Sequence, residues 1–234
     1  MHLCPVHAEA FERYYHLLVE RTRSDVERPA GGLAGLTSLS NRELIERRHF
    51  GESLVLLEAL EEHRAFGSPA IDIGSGGGFP GVPIKIVKPE LKLTLLEANG
   101  KKVAFLRDLV AELGLSDVNV VNERAETAAH DSEHREAYAL AMARAVAPLR
   151  VLAELALPFV RVGGYLATPK GSGAQREVRE AESALRTLGG EVMLVEKLEL
   201  EWPGTAPTLV LVKKAAETPG RYPRRPGMPS KRPL

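Results

Sequence analysis

The stretch AIDIGSGGGFPG, residues 70–81, decides the fold of this chain. An apolar run interrupted by one acid, Asp72, leads directly into five glycines within eight positions. Glycine in a regular helix or strand lowers stability by roughly 0.5–1 kcal/mol relative to alanine. This density of glycine therefore indicates a turn whose backbone lies close to a dinucleotide, a phosphate or another nucleoside cofactor.

From this stretch onward, short apolar runs alternate with helical patterns, which predicts βαβ units and an open, mostly parallel sheet. The predicted strands cover residues 70–73, 91–97, 118–121, 138–143 and 164–168, and the predicted helices cover residues 81–87, 100–113, a stretch near Glu126, 146–160 and 174–188. Two closing strands, residues 191–200 and 207–213, have only a turn at residues 202–204 between them. They predict a β-hairpin, so that one closing strand runs antiparallel.

The residues before this region have a different pattern. An amphipathic helix is predicted over residues 7–23, and a second helix, capped by Ser40 or Asn41, runs to about residue 67. These patterns divide the chain into three predicted parts: a helical cap (residues 1–67), a cofactor-binding domain (residues 68–214) and a basic, Pro/Arg-rich C-terminal segment (residues 215–234).

Charge and cysteine content narrow the function classes. The 234 residues hold 31 Lys plus Arg and 31 Asp plus Glu, but the chain's last part is strongly basic. That end is either a footprint for a polyanion or a disordered, solubilising tail. The single cysteine, Cys4, excludes an internal disulfide framework and any multi-cysteine metal site. With no signal peptide and no long apolar run in the sequence, we expect a cytoplasmic protein.

The glycines themselves have several possible interpretations, one of which is a merely tight turn between strand and helix. Gly76-x-Gly78-x-x-Gly81 fits the dinucleotide fingerprint, with Glu97 at a suitable distance to bind a ribose. A Walker loop is excluded because no Gly-Lys-Ser/Thr closes the run. Counted from Asp72, the spacing Asp-x-Gly-x-Gly-x-Gly resembles the first motif of S-adenosylmethionine-dependent methyltransferases. Asp72, a carboxylate suited to an ammonium- and sulfonium-bearing cofactor, and the closing hairpin favour this last interpretation.

Candidate ligand residues follow the strand ends, where open α/β sheets bind their ligands. Glu97 ends the second strand, with Ala98 and Asn99 beside it, and can accept both ribose hydroxyls. Beyond the third strand, the backbone of Ala125 and the carboxylate of Glu126 are candidates for the adenine edge. Arg144 ends the fourth strand, where the reaction centre is expected, and Lys170 ends the fifth.

An ordered series of segments resembles the RsmG (GidB) family. The segments are HFGES (residues 49–53), IDIGSGGGFPGVPIKIVKPE (71–90), LLEANGKKVAFL (95–106), RAE (124–126), ARAVAPL (143–149), PKG (169–171) and YPRRPGMP (222–229). The resemblance covers roughly residues 35–234 and implies a Rossmann-like class I methyltransferase: a seven-stranded, mostly parallel sheet ending in a β-hairpin, with an N-terminal helical extension. The family methylates N7 of one guanine in 16S ribosomal RNA with S-adenosylmethionine.

The resemblance also implies site residues. By position, the cofactor would be contacted by Gly74, Phe79, Glu97, Ala98, Asn99, Ala125, Glu126 and Arg144, in addition to Asp72, Gly76 and Gly78 of the motif. Two positions depart from the family pattern: Gly35 stands where the family usually has Asn, and Glu52 where it usually has Asp. Both lie in the helical cap, so they concern the target side more than the cofactor.

The implied chemistry assigns further roles. Guanine N7 carries a lone pair and no proton, so an in-line displacement needs positioning rather than a general base. We expect Arg144 to organise the reaction centre, or else to form an ion pair with Asp72 or Glu126. Phe79 either stacks on a base or the cofactor, or fills an apolar gap. The expected RNA contacts are His49, Lys101, Lys102, Lys170, Arg221, Arg224 and Arg225.

The expected partner is 16S rRNA or the 30S particle, bound by a monomer without a metal or a membrane. Three alternatives remain at this point. They are a methyltransferase acting on a small molecule or protein, an NAD-dependent oxidoreductase, and a non-catalytic RNA-binding module that retains a vestigial cofactor loop.

Overall fold

The computed structural model describes residues 5–26, 41–200 and 206–234. At its centre lies a seven-stranded sheet in the order β3-β2-β1-β4-β5-β7-β6. The strands are β1 Ala70–Ile73, β2 Leu93–Glu97, β3 Val118–Asn122, β4 Tyr138–Met142, β5 Val160–Lys170, β6 Gly190–Lys197 and β7 Thr208–Lys214. The first five strands pair in parallel, and β7 runs antiparallel to both β5 and β6. The predicted closing hairpin and mostly parallel sheet are confirmed, whereas its turn at residues 202–204 lies outside the described residues.

Helices cover both faces of the sheet. They are α1 Pro5–Val26, α2 Arg42–Ile45, α3 Glu52–Glu62, α4 Gly81–Val87, α5 Gly100–Glu112, α6 Ala125–Ala128, α7 Leu149–Ala156, α8 Ala174–Leu188 and α9 Met228–Lys231. One hydrophobic cluster joins α1, α3, α4 and α5 to one face, and a second joins α6, α7 and α8 to the other. Because side chains alternate along a strand, Ile71 and Ile73 of β1 enter the second cluster while Asp72 faces α4.

Two helix predictions were wrong in detail. The helix expected over residues 146–160 begins only at Leu149, because Pro148 has an extended backbone, with ψ of 149°. The helix expected from Asn41 to about residue 67 is instead α2, a π-helix over Glu46–Gly51, and α3. Its predicted cap is confirmed, since the Asn41 side chain accepts a hydrogen bond from the Glu43 N–H at 2.8 Å. The alternative cap, Ser40, and the divergent Gly35 lie outside the described residues.

The C-terminal segment, residues 215–234, packs against the sheet domain and ends in α9. Tyr222, Thr218 and Pro229 are buried there. Arg135 donates to the carbonyl oxygens of Tyr222 at 2.9 Å and Thr218 at 2.7 Å. The structure therefore contradicts the disordered-tail interpretation. Within the described part of the chain, no helix is long and apolar enough to cross a membrane.

Candidate active site

The glycine loop, residues 74–81, leaves the carboxyl end of β1. Gly74, Gly76 and Gly78 have φ of +68°, +56° and +94°, a backbone region that residues with a Cβ rarely adopt. The loop is tied to the neighbouring strand, because the N–H groups of Gly74 and Ser75 donate to the Leu96 carbonyl at 2.8 and 3.2 Å. The glycines are thus required by conformation in a loop fixed at the ligand-binding edge of the sheet.

Space also restricts several glycines of this loop. A Cβ on Gly74 would lie 2.9 Å from Cγ2 of Val146, and one on Gly81 would lie 2.9 Å from Oδ2 of Asp72. Among the described residues, a Cβ on Gly76 would meet only the Gly74 carbonyl oxygen, at 3.7 Å, and would otherwise enter open space. The open space above Gly76 is where a ligand can approach the backbone.

Asp72 is completely buried beneath the loop. Its Oδ2 accepts the Gly81 N–H at 2.9 Å. Its Oδ1 has no hydrogen-bond partner, and among the described residues no other buried side-chain oxygen or nitrogen lacks one. Burial raises the pKa of this carboxyl to about 7. A buried carboxylate oxygen without a partner is costly, and a cationic ligand group nearby would stabilise the charge of this carboxylate.

Glu97, at the end of β2, connects the loop to the next strand. Its Oε2 accepts the Gly76 N–H at 3.0 Å, and its Oε1 accepts the Asn99 N–H at 2.8 Å. Each carboxylate oxygen keeps a further lone pair, so both can still accept ribose hydroxyls. The Asn99 side chain caps α5 by accepting the N–H groups of Lys101 and Lys102, at 2.9 and 3.4 Å.

The adenine-side candidates lie at the start of α6. Ala125 is half-buried, and the buried Glu126 accepts the Gly227 N–H of the C-terminal segment at 2.8 Å. The carboxylate of Glu126 therefore holds the chain's own C-terminal segment. Its fixed position also fixes the loop that carries Ala125.

Arg144 lies at the carboxyl end of β4 and contacts the N-terminal helices. Its Nη1 donates to the Arg48 carbonyl at 2.7 Å, its Nη2 donates to Nδ1 of His49 at 2.8 Å, and Nη1 lies 3.7 Å from Oε2 of Glu52. The carboxylate within ion-pair distance is thus Glu52 rather than the predicted Asp72 or Glu126, while the charge of Asp72 also acts on Arg144. The π-helix supplies both hydrogen-bond acceptors.

His49 is neutral at this site. Arginine can only donate, so Nδ1 of His49 must carry the lone pair that accepts from Arg144. Burial and the nearby Arg144 charge lower the His49 pKa to about 3. His49 therefore adds no positive charge for RNA, and its expected RNA contact has to be something other than a cation on phosphate.

Phe79 is an apolar plug rather than an exposed stacking platform. Its ring is 4% exposed and stacks on Tyr14 (5.1 Å between centroids) and His49 (4.5 Å). The Arg144 guanidinium lies 5.0 Å from the same ring. This burial against protein side chains supports the alternative in which Phe79 fills an apolar gap.

Beside Arg144 lies a cleft of about 500 Å³, here called the Arg144 cleft, between the ends of β4 and β5. It is lined by Glu52, Arg144, Val146, Pro169, Lys170 and Pro207. Lys170 donates to the Ala147 carbonyl at 2.7 Å and pairs with Glu177 at 3.0 Å, so it braces the wall of the cleft.

The remaining basic candidates divide into exposed and half-buried positions. Lys101, Arg221 and Arg225 are exposed, and Lys102 is half-buried at the start of α5. Arg224 instead grips Glu154, a fully buried residue, through Nε at 2.9 Å and Nη2 at 2.6 Å. The structure thus gives Arg224 a structural partner, in contrast to the free phosphate contact expected from the sequence.

The residues present fit S-adenosylmethionine. The unpaired Asp72 oxygen suits a cationic group, Glu97 retains lone pairs for ribose hydroxyls, and the space above Gly76 admits a ligand to the backbone. In the described part of the chain, no group of three or more His, Cys, Asp or Glu side chains is arranged to hold a metal ion.

Sequence reasoning missed several residues that shape this site. Tyr14 and Glu52 contact it from the N-terminal helices, and Val146 lies against Gly74. Asn122, at the end of β3, donates to the carbonyls of Glu97 and Ala98 at 3.1 and 3.2 Å. Only Asn122, a polar residue at a strand end, carried a sequence signal of the kind that identified Glu97.

Comparison with known proteins places the chain in a family. Residues 8–202 match the family described as rRNA small subunit methyltransferase G (GidB). A relative of that name from Pelotomaculum thermopropionicum is 41% identical over 226 residues, 96% of this chain and 89% of the relative. One from Roseiflexus castenholzii is 48% identical over 200 residues, 85% of this chain and 83% of the relative.

Solved structures agree on the fold alone. MtNAS in complex with MTA and tNA has a TM-score of 0.56 at 16% identity, covering 90% of this chain and 75% of that one. A precorrin-6y methyltransferase of Geobacter metallireducens has a TM-score of 0.50 at 15% identity, covering 75% and 90%. With its family profile matched over most of its length, this chain belongs to the rRNA small subunit methyltransferase G family.

Proposed function

We propose that the protein transfers the methyl group of S-adenosylmethionine to N7 of a guanine in 16S ribosomal RNA. The observation that carries the proposal is the meeting of two features at one sheet edge. A glycine loop is bracketed by the carboxylates of Asp72 and Glu97, and the adjoining cleft is walled by Arg144. Family membership supports the ribosomal RNA substrate.

In this proposal the cofactor is held by the chain's own backbone and carboxylates. S-adenosylmethionine supplies an electrophilic methyl group on a sulfonium sulfur. Asp72 provides a negative charge in a buried position, where charge interactions are strong. Glu97, Ala98 and Asn99 provide the ribose end, and the loop at Ala125, fixed through Glu126, provides the adenine end.

The site does not have to remove a proton for methylation at N7. The lone pair of N7 lies in the plane of the base and is free in neutral guanine, so the residues need only align it and exclude water. His49 is not needed as a base, and its Nδ1 lone pair already accepts a hydrogen bond from Arg144. The chain therefore contributes orientation and desolvation rather than general-base catalysis.

Arg144 is the residue proposed to organise the base. Two of its five N–H groups donate to Arg48 and His49, which leaves others for guanine O6 or a phosphate. Its side chain is held rigidly by these acceptors and by Glu52, so the orienting group is preorganised. A cation at O6 or phosphate, rather than at N7, avoids repulsion with the charge that the methylated base gains.

The RNA contacts proposed outside the cleft are the exposed Lys101, Arg221 and Arg225, together with Lys102. Backbone contacts of this kind fit a chain in which aromatic residues make up only 5%. A monomer acting in the cytoplasm, on the 30S particle or on free 16S rRNA, completes the proposal.

The test uses radiolabelled S-adenosylmethionine with two 16S rRNA transcripts, one normal and one made with 7-deazaguanosine. The deaza transcript keeps O6, N1 and the exocyclic amine but lacks the N7 lone pair. We expect label in the normal transcript or in 30S particles, strand cleavage by borohydride and aniline at one guanine, and no label in the deaza transcript. Label retained in the deaza transcript would refute the N7 assignment. Absence of transfer to any RNA would favour a different methyl acceptor.

A further inference from the structure

Tyr14, on the N-terminal helix α1, reaches the glycine loop from outside the sheet domain. Its side chain is completely buried, and its hydroxyl donates a hydrogen bond to the carbonyl oxygen of Gly77. The two residues are 63 positions apart in the sequence. A helix that precedes the whole α/β domain therefore holds the backbone of that domain's cofactor loop.

The loop is shaped around this hydroxyl. A Cβ on Gly78 would lie 2.6 Å from the Tyr14 oxygen, so the hydroxyl occupies the place of a side chain at that position. The Tyr14 ring stacks on Phe79 at 5.1 Å between centroids with an interplanar angle of 6°. Three consecutive loop residues, Gly77, Gly78 and Phe79, thus contact one tyrosine.

The electrostatic surroundings keep this hydroxyl a donor. Burial raises the pKa of Tyr14 well above its ordinary value, so the phenol stays protonated. The charges of Arg144 and Asp72 act on the same phenol. Tyr14 therefore lies among the loop, the buried carboxylate and the arginine of the cleft.

We propose that Tyr14 is a positioning residue for the cofactor: its hydrogen bond to Gly77 holds the glycine loop in its cofactor-binding conformation. The inference rests on the cofactor part of the proposed function and is independent of which RNA atom is methylated. A purely structural role, in which Tyr14 only attaches α1 to the domain, predicts a different outcome because the ring alone would then suffice.

The experiment compares full-length variants by calorimetric titration with S-adenosylmethionine. Tyr14→Phe keeps the ring and removes the donor, and we expect the cofactor to bind about tenfold more weakly. The KM for the cofactor rises by the same factor, while kcat and the KM for RNA stay within about twofold at saturating cofactor. 4-Aminophenylalanine at position 14, which retains an N–H donor, restores the affinity.

Leu18→Ala is the matched control for packing, because Leu18 is equally buried one turn further along α1. It lowers the melting temperature without changing cofactor affinity. Tyr15→Phe, on the half-buried neighbour, changes neither. Tyr14→Phe with wild-type affinity, or Leu18→Ala with the same affinity loss as Tyr14→Phe, would overturn the inference. Failure of the wild type to bind the cofactor would instead refute the proposed function.

Discussion

The glycine loop and the C-terminal segment are both short, glycine- or proline-rich stretches, yet they relate to the rest of the molecule in opposite ways. The loop's requirements are local: three glycines with positive φ between an acid at the end of β1 and an acid at the end of β2. The C-terminal segment is ordered by distant carboxylates, since Arg224 and Glu154 are 70 positions apart and Gly227 and Glu126 are 101 apart.

This difference determines whether a charged side chain in each region is available to a ligand or is used in a contact within the protein. In the loop, a carboxylate at a strand end has backbone N–H groups as neighbours and is available to a ligand. In the C-terminal segment, Arg224 and Arg225 are adjacent in sequence, but one closes a buried ion pair and the other faces solvent. Four predictions test whether the loop is a ligand site and whether the segment is a structural clamp with a charged exterior.

The largest expected effect is that of Gly74→Asp on cofactor binding. The new side chain would require φ of +68° and would collide with Val146, 2.9 Å from its Cβ. We expect the calorimetric affinity for S-adenosylmethionine to fall by at least about 1,000-fold. Gly114→Asp is the control, because Gly114 has φ of +62° and no atom of the described residues lies within 4 Å of the added Cβ. It pays only the backbone penalty, about 1–2 kcal/mol, and retains the cofactor. Wild-type binding by Gly74→Asp would contradict the assignment.

Arg224→Ala is expected to have the next largest effect, this time on folding. The substitution removes the guanidinium from the completely buried Glu154 carboxylate. Residue 224 then still donates its backbone N–H to Glu154, at 2.8 Å in the wild type. We expect the free energy of unfolding, measured by urea denaturation, to fall by roughly 3 kcal/mol, the lower end for a broken buried pair because Arg224 is 26% exposed. Arg225→Ala should stay within about 0.5 kcal/mol of the wild type. Equal losses in both variants would remove the distinction between the two arginines.

The same contrast explains what could be predicted from the sequence. Strand β1, helix α4 and the N-terminus of α5 follow from local patterns, and Asp72, Glu97 and Arg144 could be located because strand ends converge at one edge of a parallel sheet. Glycine spacing alone left a dinucleotide possible. Asp72 and the closing hairpin, both readable along the chain, favoured the methyl donor.

What the sequence could not give are contacts set by packing between distant elements. Tyr14 lies within the amphipathic helix predicted over residues 7–23, and nothing in that pattern indicated that its hydroxyl would donate to Gly77. Glu52 looked like a departure in the helical cap, whereas it is the ion-pair partner of Arg144. The sequence of the basic C-terminal segment suggested an RNA-binding tail, because the buried carboxylates that this segment contacts lie far away in the sequence, on α6 and α7.

A smaller effect is predicted for the pH dependence of cofactor binding through Asp72. Burial raises its pKa to about 7, so the free protein loses stability as pH rises from the ordinary carboxyl range through about 7. A cationic cofactor favours the ionised form, so affinity should rise by up to about tenfold between about pH 6 and pH 8. Asp72→Asn should bind more weakly, with this rise removed. Calorimetry across that range checks it, and an unchanged pH slope in the variant would show that another group titrates.

The smallest expected effect is that of Arg225→Ala on RNA binding. Arg225 is exposed and lies two residues before Gly227, whose N–H donates to Glu126, so it belongs to a segment that is attached to the adenine-side loop. Loss of one phosphate contact should lower the slope of log K against log salt by about 1, with the affinity for S-adenosylmethionine unchanged. Arg161→Ala is the control, because this exposed arginine lies near the start of β5, at the opposite end of that strand from the cleft. An unchanged slope in Arg225→Ala would remove Arg225 from the proposed RNA contacts and leave Arg221 as the proposed contact in the C-terminal segment. A changed slope, together with the stability loss of Arg224→Ala, would show that neighbouring arginines divide folding and RNA binding between them.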